Sequence, residues 1–422
     1  MLLPKRLALS GRINNTVKHT FILSVSNVLT RGMGMLFFII LARSLTVAEY
    51  GLFRFLLTLS SIYALAFVGV PTALTKFLGD SGSDPNLRTE YLSNSLLLVV
   101  FLYLAITIAV VIFASHKILL LLFILTFLVD LFYTGFARGI LDYLKLNGFK
   151  LFENVIQLMI LVSVFYFYRH IDLNFSVVFY SFSGLLSLAV FEMIRPNFKI
   201  KWRYSKRRVA EILRYALPVT LGAVGWTLLY GISNIYIEHF NGTEQVGYFS
   251  VGLTLMQIFS FLPNAIYTIL MPKAASLKDK RRIVKPLRAA LFGCLAISIV
   301  ISIPIFIFRN FVIIFLFSSR YLPAVAVILP LMISQLFLIM YQLYGTAWQG
   351  LGKPTITSII IAIAAAINII AGYFLTKAFG IVGASISLAL SAFAAWLAAI
   401  LIWHRWVKRG GLEAQMDVEQ KI

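Results

Sequence analysis

TFILSVSNVLTRGMGMLFFIILAR, Thr20 to Arg43, reads as one helix laid across a lipid bilayer. At 1.5 Å per residue, roughly 20 apolar residues cover a hydrocarbon core about 30 Å thick. A helix packed on a soluble core would break such a run with a polar face. Here Arg31 is the one ionisable side chain between the two ends.

Outward from this block the pattern repeats along the whole chain. Of 422 residues 60% are hydrophobic and 13% charged, with a mean hydropathy of +0.91. A soluble chain would carry about twice that charged fraction. Further spans are expected near 52–78, 91–113, 117–141, 149–168, 172–194, 212–239, 245–271, 287–308, 322–347, 355–376 and 381–404, the first covering 19–43. The expected fold class is therefore all-α and integral to the membrane, with about 12 transmembrane helices.

Charge fixes the orientation. With both termini in the cytoplasm, only Arg43, Arg54, Lys117, Arg169, Arg309, Arg320 and Lys377 of the 37 Lys and Arg fall on outward segments. Arg31 lies mid-span, and the rest are cytoplasmic, as the positive-inside rule demands. The net charge of +21 follows from basic loops that serve topology and meet anionic membrane lipids, so no nucleic-acid partner is implied. The single cysteine, Cys294, excludes an intrachain disulfide and a Cys-based metal site. The basic N-terminus precedes a long apolar run without a small-residue cleavage site, and reads as a retained cytoplasmic segment.

Two stretches align without gaps. Gly51, Phe53, Leu57, Thr58 and Leu59 match Gly247, Phe249, Leu253, Thr254 and Leu255, each set opening an even-numbered span. Tyr133 and Gly139 likewise resemble Tyr344 and Gly350 at the ends of the fourth and tenth spans. The organisation read from this is a parallel repeat: cytoplasmic segment 1–18, a six-helix bundle 19–194, a basic linker 195–211, a second bundle 212–404 and a tail 405–422. Chance similarity among apolar helices is the competing explanation. Parallel repeats suit alternating access.

Arg31 must face protein or water, since an arginine at the bilayer centre costs about 2.5–3.5 kcal/mol on insertion scales. Asn27 lies one turn earlier on the same face. Arg31 suits an anionic headgroup, by bidentate bonding to phosphate, or a structural pair with Asp130 in the fourth span. Asp130 could also titrate or bind a coupling cation. Trp226, Tyr230 and Asn234 fall at i, i+4 and i+8 of a Gly- and Pro-rich seventh span. That face suits stacking on sugar rings, although aromatics turned to lipid or core are commoner. Gln257 and Gln335 add uncharged polarity, and the Gly135–Gly139 spacing around Arg138 fits close packing. No GxxxxGK[ST], HExxH or GxSxG motif is present, so no catalytic residue and no metal ligand is assigned.

Leu41-Ala-Arg-Ser-Leu-Thr-Val-Ala-Glu-Tyr-Gly-Leu-Phe53 resembles the first-to-second helix signature of the polysaccharide-exporter branch of the multidrug/oligosaccharidyl-lipid/polysaccharide (MOP) superfamily. Arg214-Tyr-Ala-Leu-Pro218, Val246-Gly-Tyr-Phe249, Phe315 to Ala324 and Gly350-Leu-Gly-Lys353 carry the likeness through both halves. It is closest to Wzx-like flippases of lipid-linked oligosaccharides. The resemblance implies cargo on undecaprenyl pyrophosphate, carried from the cytoplasmic to the outer leaflet of the bacterial plasma membrane for O-antigen- or capsule-type polymers. It implies no cofactor, though a proton or sodium gradient is a candidate driving force. A polysaccharide polymerase and a chain-length regulator are the partners such a pathway would add. Under it, Arg31 with Arg54 would hold the pyrophosphate, and Trp226, Tyr230, Asn234 and Gln257 would line the sugar passage. Members often carry an acid where this chain has Asn234, which leaves Asp130 the better coupling candidate. The alternatives are a drug/cation antiporter of the same superfamily, a membrane enzyme acting on lipid-linked sugars, and a scaffold of a polysaccharide-assembly complex.

Overall fold

The computed structural model describes residues 29–82, 84–140, 142–167, 171–194, 202–277 and 280–419, which are helical almost throughout. Asn27 and the first seven residues of the basic linker, 195–201, lie outside them. Seven helices are long and apolar enough to cross a membrane, or nine if each bent pair is one span, among the described residues. A twelve-helix count is compatible with these elements, because the longest helix is itself two segments.

Local chemistry sets the boundaries. A helix over 29–44 (α1) ends before Thr46, which opens α2 (Val47–Ala64) with a capping box. Thr46 Oγ1 accepts from Glu49 N at 3.2 Å, and Glu49 Oε2 accepts from Thr46 N at 3.0 Å. The second span is broken: α2 and α3 (Gly69–Asp80) meet at 53°, with Pro71 unable to continue an unbroken ladder. Asp84 then caps α4 (Pro85–Phe113) by accepting from Asn86 N and Leu87 N.

Next come α5 (Lys117–Gly139), α6 (Tyr143–Phe167) and α7 (Leu173–Ile194). The helix α8 (Lys206–Asn241) contains Pro218 and bends by 43° where Thr220 gives way to Gly222, the bend expected of its Gly/Pro content. A 3₁₀ turn, Gln257–Ser260, separates α9 (Thr243–Met256) from α10 (Phe261–Ser276). Then follow α11 (Val284–Ile307), a short α12 (Arg309–Leu316), α13 (Val325–Gly350) and α14 (Pro354–Glu419). Gly380, at φ 56°, divides α14 into the two segments anticipated as separate spans. The α12 helix was not anticipated.

The chain forms two compact units. Unit 1 comprises Met1–Ile40, Phe67–Lys117 and Leu121–Ala216; unit 2 comprises Leu41–Ala66, Ile118–Leu120 and Leu217–Ile422. The internal repeat is visible in how glycines seat helices within each. In unit 2, α2 crosses α9 at Gly51 and Gly247. A Cβ on Gly51 would stand 1.8 Å from Thr243 O, and one on Gly247 would stand 2.6 Å from Val47 O. In the repeat register residue 47 pairs with 243 and 51 with 247, so the two approaches are the same contact made twice. A second equivalence links the units by likeness alone. Gly139 of unit 1 lies against Thr75 and Leu78, and Gly350 of unit 2 lies against Met271 and Ala274. The same register aligns 75 with 271 and 78 with 274. Gly135 also seats α5 on Pro71, as its small-residue spacing predicted.

In unit 1 the start of α8 is fastened to α4. Arg208 reaches Glu90 at 3.2 Å, Glu211 at 2.9 Å and the Tyr91 hydroxyl at 3.1 Å. Asn94 accepts from Ser205 N and donates to Arg203 O, closing the turn that enters the helix.

Candidate functional site

Each unit contains a polar cavity walled by its own helices. In unit 2 a cavity of about 450 Å³ is lined by Arg54, Thr58 and Ser61 from α2 and by Trp226, Thr227, Tyr230, Gly231 and Asn234 from α8. The end of α9, the 3₁₀ residues Gln257 and Ser260, and Gln335 of α13 complete it. The i, i+4, i+8 face of the seventh span therefore turns inward. Trp226 and Tyr230 stack with ring centroids 6.3 Å apart and planes within 10°. Gln335 Nε2 donates to the Tyr230 hydroxyl at 3.3 Å, which holds the ring.

Hydrogen bonds tie α8 to α2 across this wall. Asn234 Nδ2 donates to Thr58 Oγ1 at 2.8 Å, and Thr58 Oγ1 donates to Arg54 O at 2.9 Å. A Cβ on Gly231 would sit 3.2 Å from the Thr58 methyl, so glycine there sets the approach. Asn234 Oδ1 is buried with no hydrogen-bond partner among the described residues, an acceptor open to a ligand hydroxyl. Arg54 is only 8% exposed, seven residues into α2. No Asp or Glu lines this cavity.

Unit 1 has a smaller cavity, about 270 Å³, of opposite character. Thr30 and Arg31 of α1, Thr126, Phe127 and Asp130 of α5, Lys150, Glu153, Asn154 and Gln157 of α6, and Tyr180 of α7 line it. Lys150 pairs with Asp130, and its Nζ lies 3.8 Å from Glu153 Oε2. Asn154 Nδ2 donates back to Lys150 O at 2.7 Å. Glu153 is 7% exposed, and Lys150 is the cation that faces both it and Asp130.

Arg54, Trp226, Tyr230, Asn234 and Gln257 thus come together in unit 2, whereas Arg31 and Asp130 share the cavity of unit 1. Sequence reading missed the α6 contribution: Lys150 falls there among the cytoplasmic helix ends, and Glu153 is given no role. The signal was there: Lys150, Glu153, Asn154 and Gln157 repeat at three- and four-residue steps along one helix face. Among the described residues no group of three or more His, Cys, Asp and Glu is placed to hold a metal.

Long apolar helices, some of them broken at Pro and Gly, define a multi-pass membrane protein with internal polar cavities. Known folds agree. The lipid II flippase MurJ, in its inward closed conformation, matches with a TM-score of 0.75 over 91% of this chain and 87% of its own, at 14% identity. An inward-facing multidrug resistance MATE family transporter of the MOP superfamily matches with a TM-score of 0.74, covering 89% and 94%, also at 14% identity. The chain therefore shares the fold of these two proteins. Residues 16–278, more than half of the chain, match the family described as polysaccharide biosynthesis protein, and the chain belongs to that family. It is 23% identical over 403 residues to a capsular polysaccharide biosynthesis protein, CapF, of Staphylococcus aureus, covering 92% of this chain and 99% of the relative. An uncharacterized membrane protein of Methanocaldococcus jannaschii is 25% identical over 406 residues, covering 91% and 96%.

Proposed function

We propose that this protein is a flippase that carries undecaprenyl-pyrophosphate-linked oligosaccharide from the cytoplasmic to the outer leaflet by alternating access, for O-antigen- or capsule-type polymers. The observation that carries the reading is the unit 2 cavity. It offers a stacked Trp226–Tyr230 platform, the side-chain amides of Asn234, Gln257 and Gln335, and the hydroxyls of Thr58 and Ser61. Aromatic faces stack on the apolar faces of sugar rings, while amides and hydroxyls pair with the ring hydroxyls. One buried guanidinium, Arg54, and no carboxylate make the cavity suitable for an anionic, sugar-bearing cargo and unsuitable for a cationic drug. Arg31 is the corresponding anion contact in unit 1. Membership of a polysaccharide biosynthesis family supports the same cargo class.

In this reading the protein is a transporter and not an enzyme, sits in the bacterial plasma membrane with both termini cytoplasmic, and is built of two six-helix bundles, 19–194 and 212–404. Asp130, paired with Lys150, is the candidate link to a proton or sodium gradient. The test is transbilayer movement of a short undecaprenyl-pyrophosphate oligosaccharide in proteoliposomes, scored by access of a sugar-specific probe. Movement that depends on the protein and falls on Arg54→Ala is the expected result. No movement, together with gradient-driven efflux of a small organic cation, would replace the reading with drug antiport.

A further inference from the structure

A third cavity, of about 350 Å³, belongs to neither polar site. In unit 2, α11 and α14 each pack on α13 but scarcely on each other, and a groove opens between them with α13 as its floor. Leu291 and Leu295 of α11, Met340 of α13 and Trp396 of α14 make its apolar length. Trp403 closes one end, wedged against Tyr344 at 5.8 Å and Trp348 at 5.2 Å between ring centroids. Phe292 on the rim is 68% exposed, so the groove faces the surrounding lipid.

Its ends are unlike. Leu295 and Trp396 mark the apolar end, and exposed Arg288 and His404 mark the other, with Lys285, Arg405 and Lys408 on the adjoining helix turns. No acidic residue lines it. We propose that this groove binds one anionic phospholipid, a chain along Leu291, Leu295 and Trp396 and its phosphate against Arg288 and His404. The pattern of an apolar slot ending in cations matches a lipid whose headgroup carries net negative charge. The cargo's own tail is a poorer fit. On α13, Met340 and Tyr344 are turned about 140° and 180° from Gln335 at roughly 100° per residue, so the helix stands between groove and sugar cavity. The groove is thus a resident-lipid site that braces α11 and α14 against α13, independent of what the polar cavity carries.

The full chain in detergent micelles is titrated with phosphatidylglycerol bearing brominated chains, which quenches tryptophan on contact. Saturable quenching is expected, lost in the double variant Trp396→Phe, Trp403→Phe. The midpoint is expected to rise about tenfold in Arg288→Ala, the loss of one charge-assisted contact, and to be kept in Arg288→Lys. Brominated phosphatidylcholine should show a midpoint shifted the same way as Arg288→Ala. His404→Ala, read on the same curve, decides the matter if Arg288→Ala does not yield monodisperse protein. Equal midpoints for the two lipids, no shift in either Arg288→Ala or His404→Ala, or displacement by a polyprenyl phosphate but not by unlabelled phosphatidylglycerol would overturn the proposal.

Discussion

The two polar cavities make opposite use of a related helical scaffold. In unit 1 charge is present in both signs and held within the protein: Lys150 pairs with Asp130 and sits near Glu153, with Arg31 on the same wall. In unit 2 the wall is aromatic and amide-bearing, and Arg54 is its only charged residue. Yet Gly139 meets Thr75 and Leu78 as Gly350 meets Met271 and Ala274. The backbone crossing has been kept while the cavity chemistry has separated. The unit 1 cluster balances its own charge through Lys150; the unit 2 wall presents ring faces, amides and hydroxyls around a single guanidinium.

The strongest way to break this comparison is to remove one scaffold and leave the other. Gly51→Ala places a methyl 1.8 Å from the Thr243 carbonyl oxygen, a backbone atom that no rotamer change can move aside. Unit 2 is expected to lose upward of ~4 kcal/mol, the range reserved for severe overpacking. Gly293→Ala, with nothing within 4 Å of its Cβ, is the control and should leave stability unchanged. Thermal unfolding in detergent checks both. Equal stability of the two variants would mean that α2 does not rest on α9 through this contact.

Next in size is Lys150→Ala, which leaves Asp130 and Glu153 in the unit 1 cavity without the lysine between them. Removing one partner of a buried ion pair costs about 3 kcal/mol or more. Adding Asp130→Asn and Glu153→Gln should return most of that loss, since the charges left uncompensated are then gone. If the triple variant is no more stable than Lys150→Ala, the cluster is packing and not charge balance.

Arg54→Ala separates the cavities by function. Losing a charge-assisted contact to cargo is expected to lower flipping about tenfold or more, at about 1.5–3 kcal/mol, with Arg54→Lys retaining part of it. Stability should change less than transport, because Thr58 and Asn234 still tie α2 to α8. A variant that flips at the parental rate would remove Arg54 from the cargo site and leave the aromatic platform to explain affinity.

Much of this was legible beforehand. Apolar block length marks the membrane-crossing helices, seven or nine of which stand among the described residues, and Pro218 with Gly222 and Gly225 fits the bend in α8. The Trp226, Tyr230 and Asn234 face is a local periodicity, so its unity survived without knowledge of neighbours. What sequence order could not supply was depth and partnership. Arg54 sits close to a span end in the chain, but the Gly51–Gly247 crossing buries that part of α2. Lys150 looked like a cytoplasmic helix end, and its bond to Asp130 spans two helices, a distance that no helical period encodes. The α12 helix, short and followed two residues on by Ser318 at φ 104°, carries no cap signature that would have announced it.

The smallest expected effect concerns charge at the unit 1 surface, and it tests whether burial or charge itself sets the scale. Arg207 pairs with Glu211 at 3.0 Å, but its side chain is 81% exposed. Glu211 also accepts from Arg208 and from the Tyr91 hydroxyl, so losing Arg207 leaves the carboxylate with two donors. Arg207→Ala should therefore change stability by less than about 0.5 kcal/mol, and less still at high salt, where exposed pairs are screened. Lys150→Ala should keep more of its penalty in salt, because its pair with Asp130 is far less exposed than Arg207. Melting both variants at low and high ionic strength puts the two ion pairs on one scale. If Arg207→Ala cost as much as Lys150→Ala, or if salt erased both losses alike, the unit 1 cavity would be solvated surface, and its contrast with the unit 2 cavity would fail.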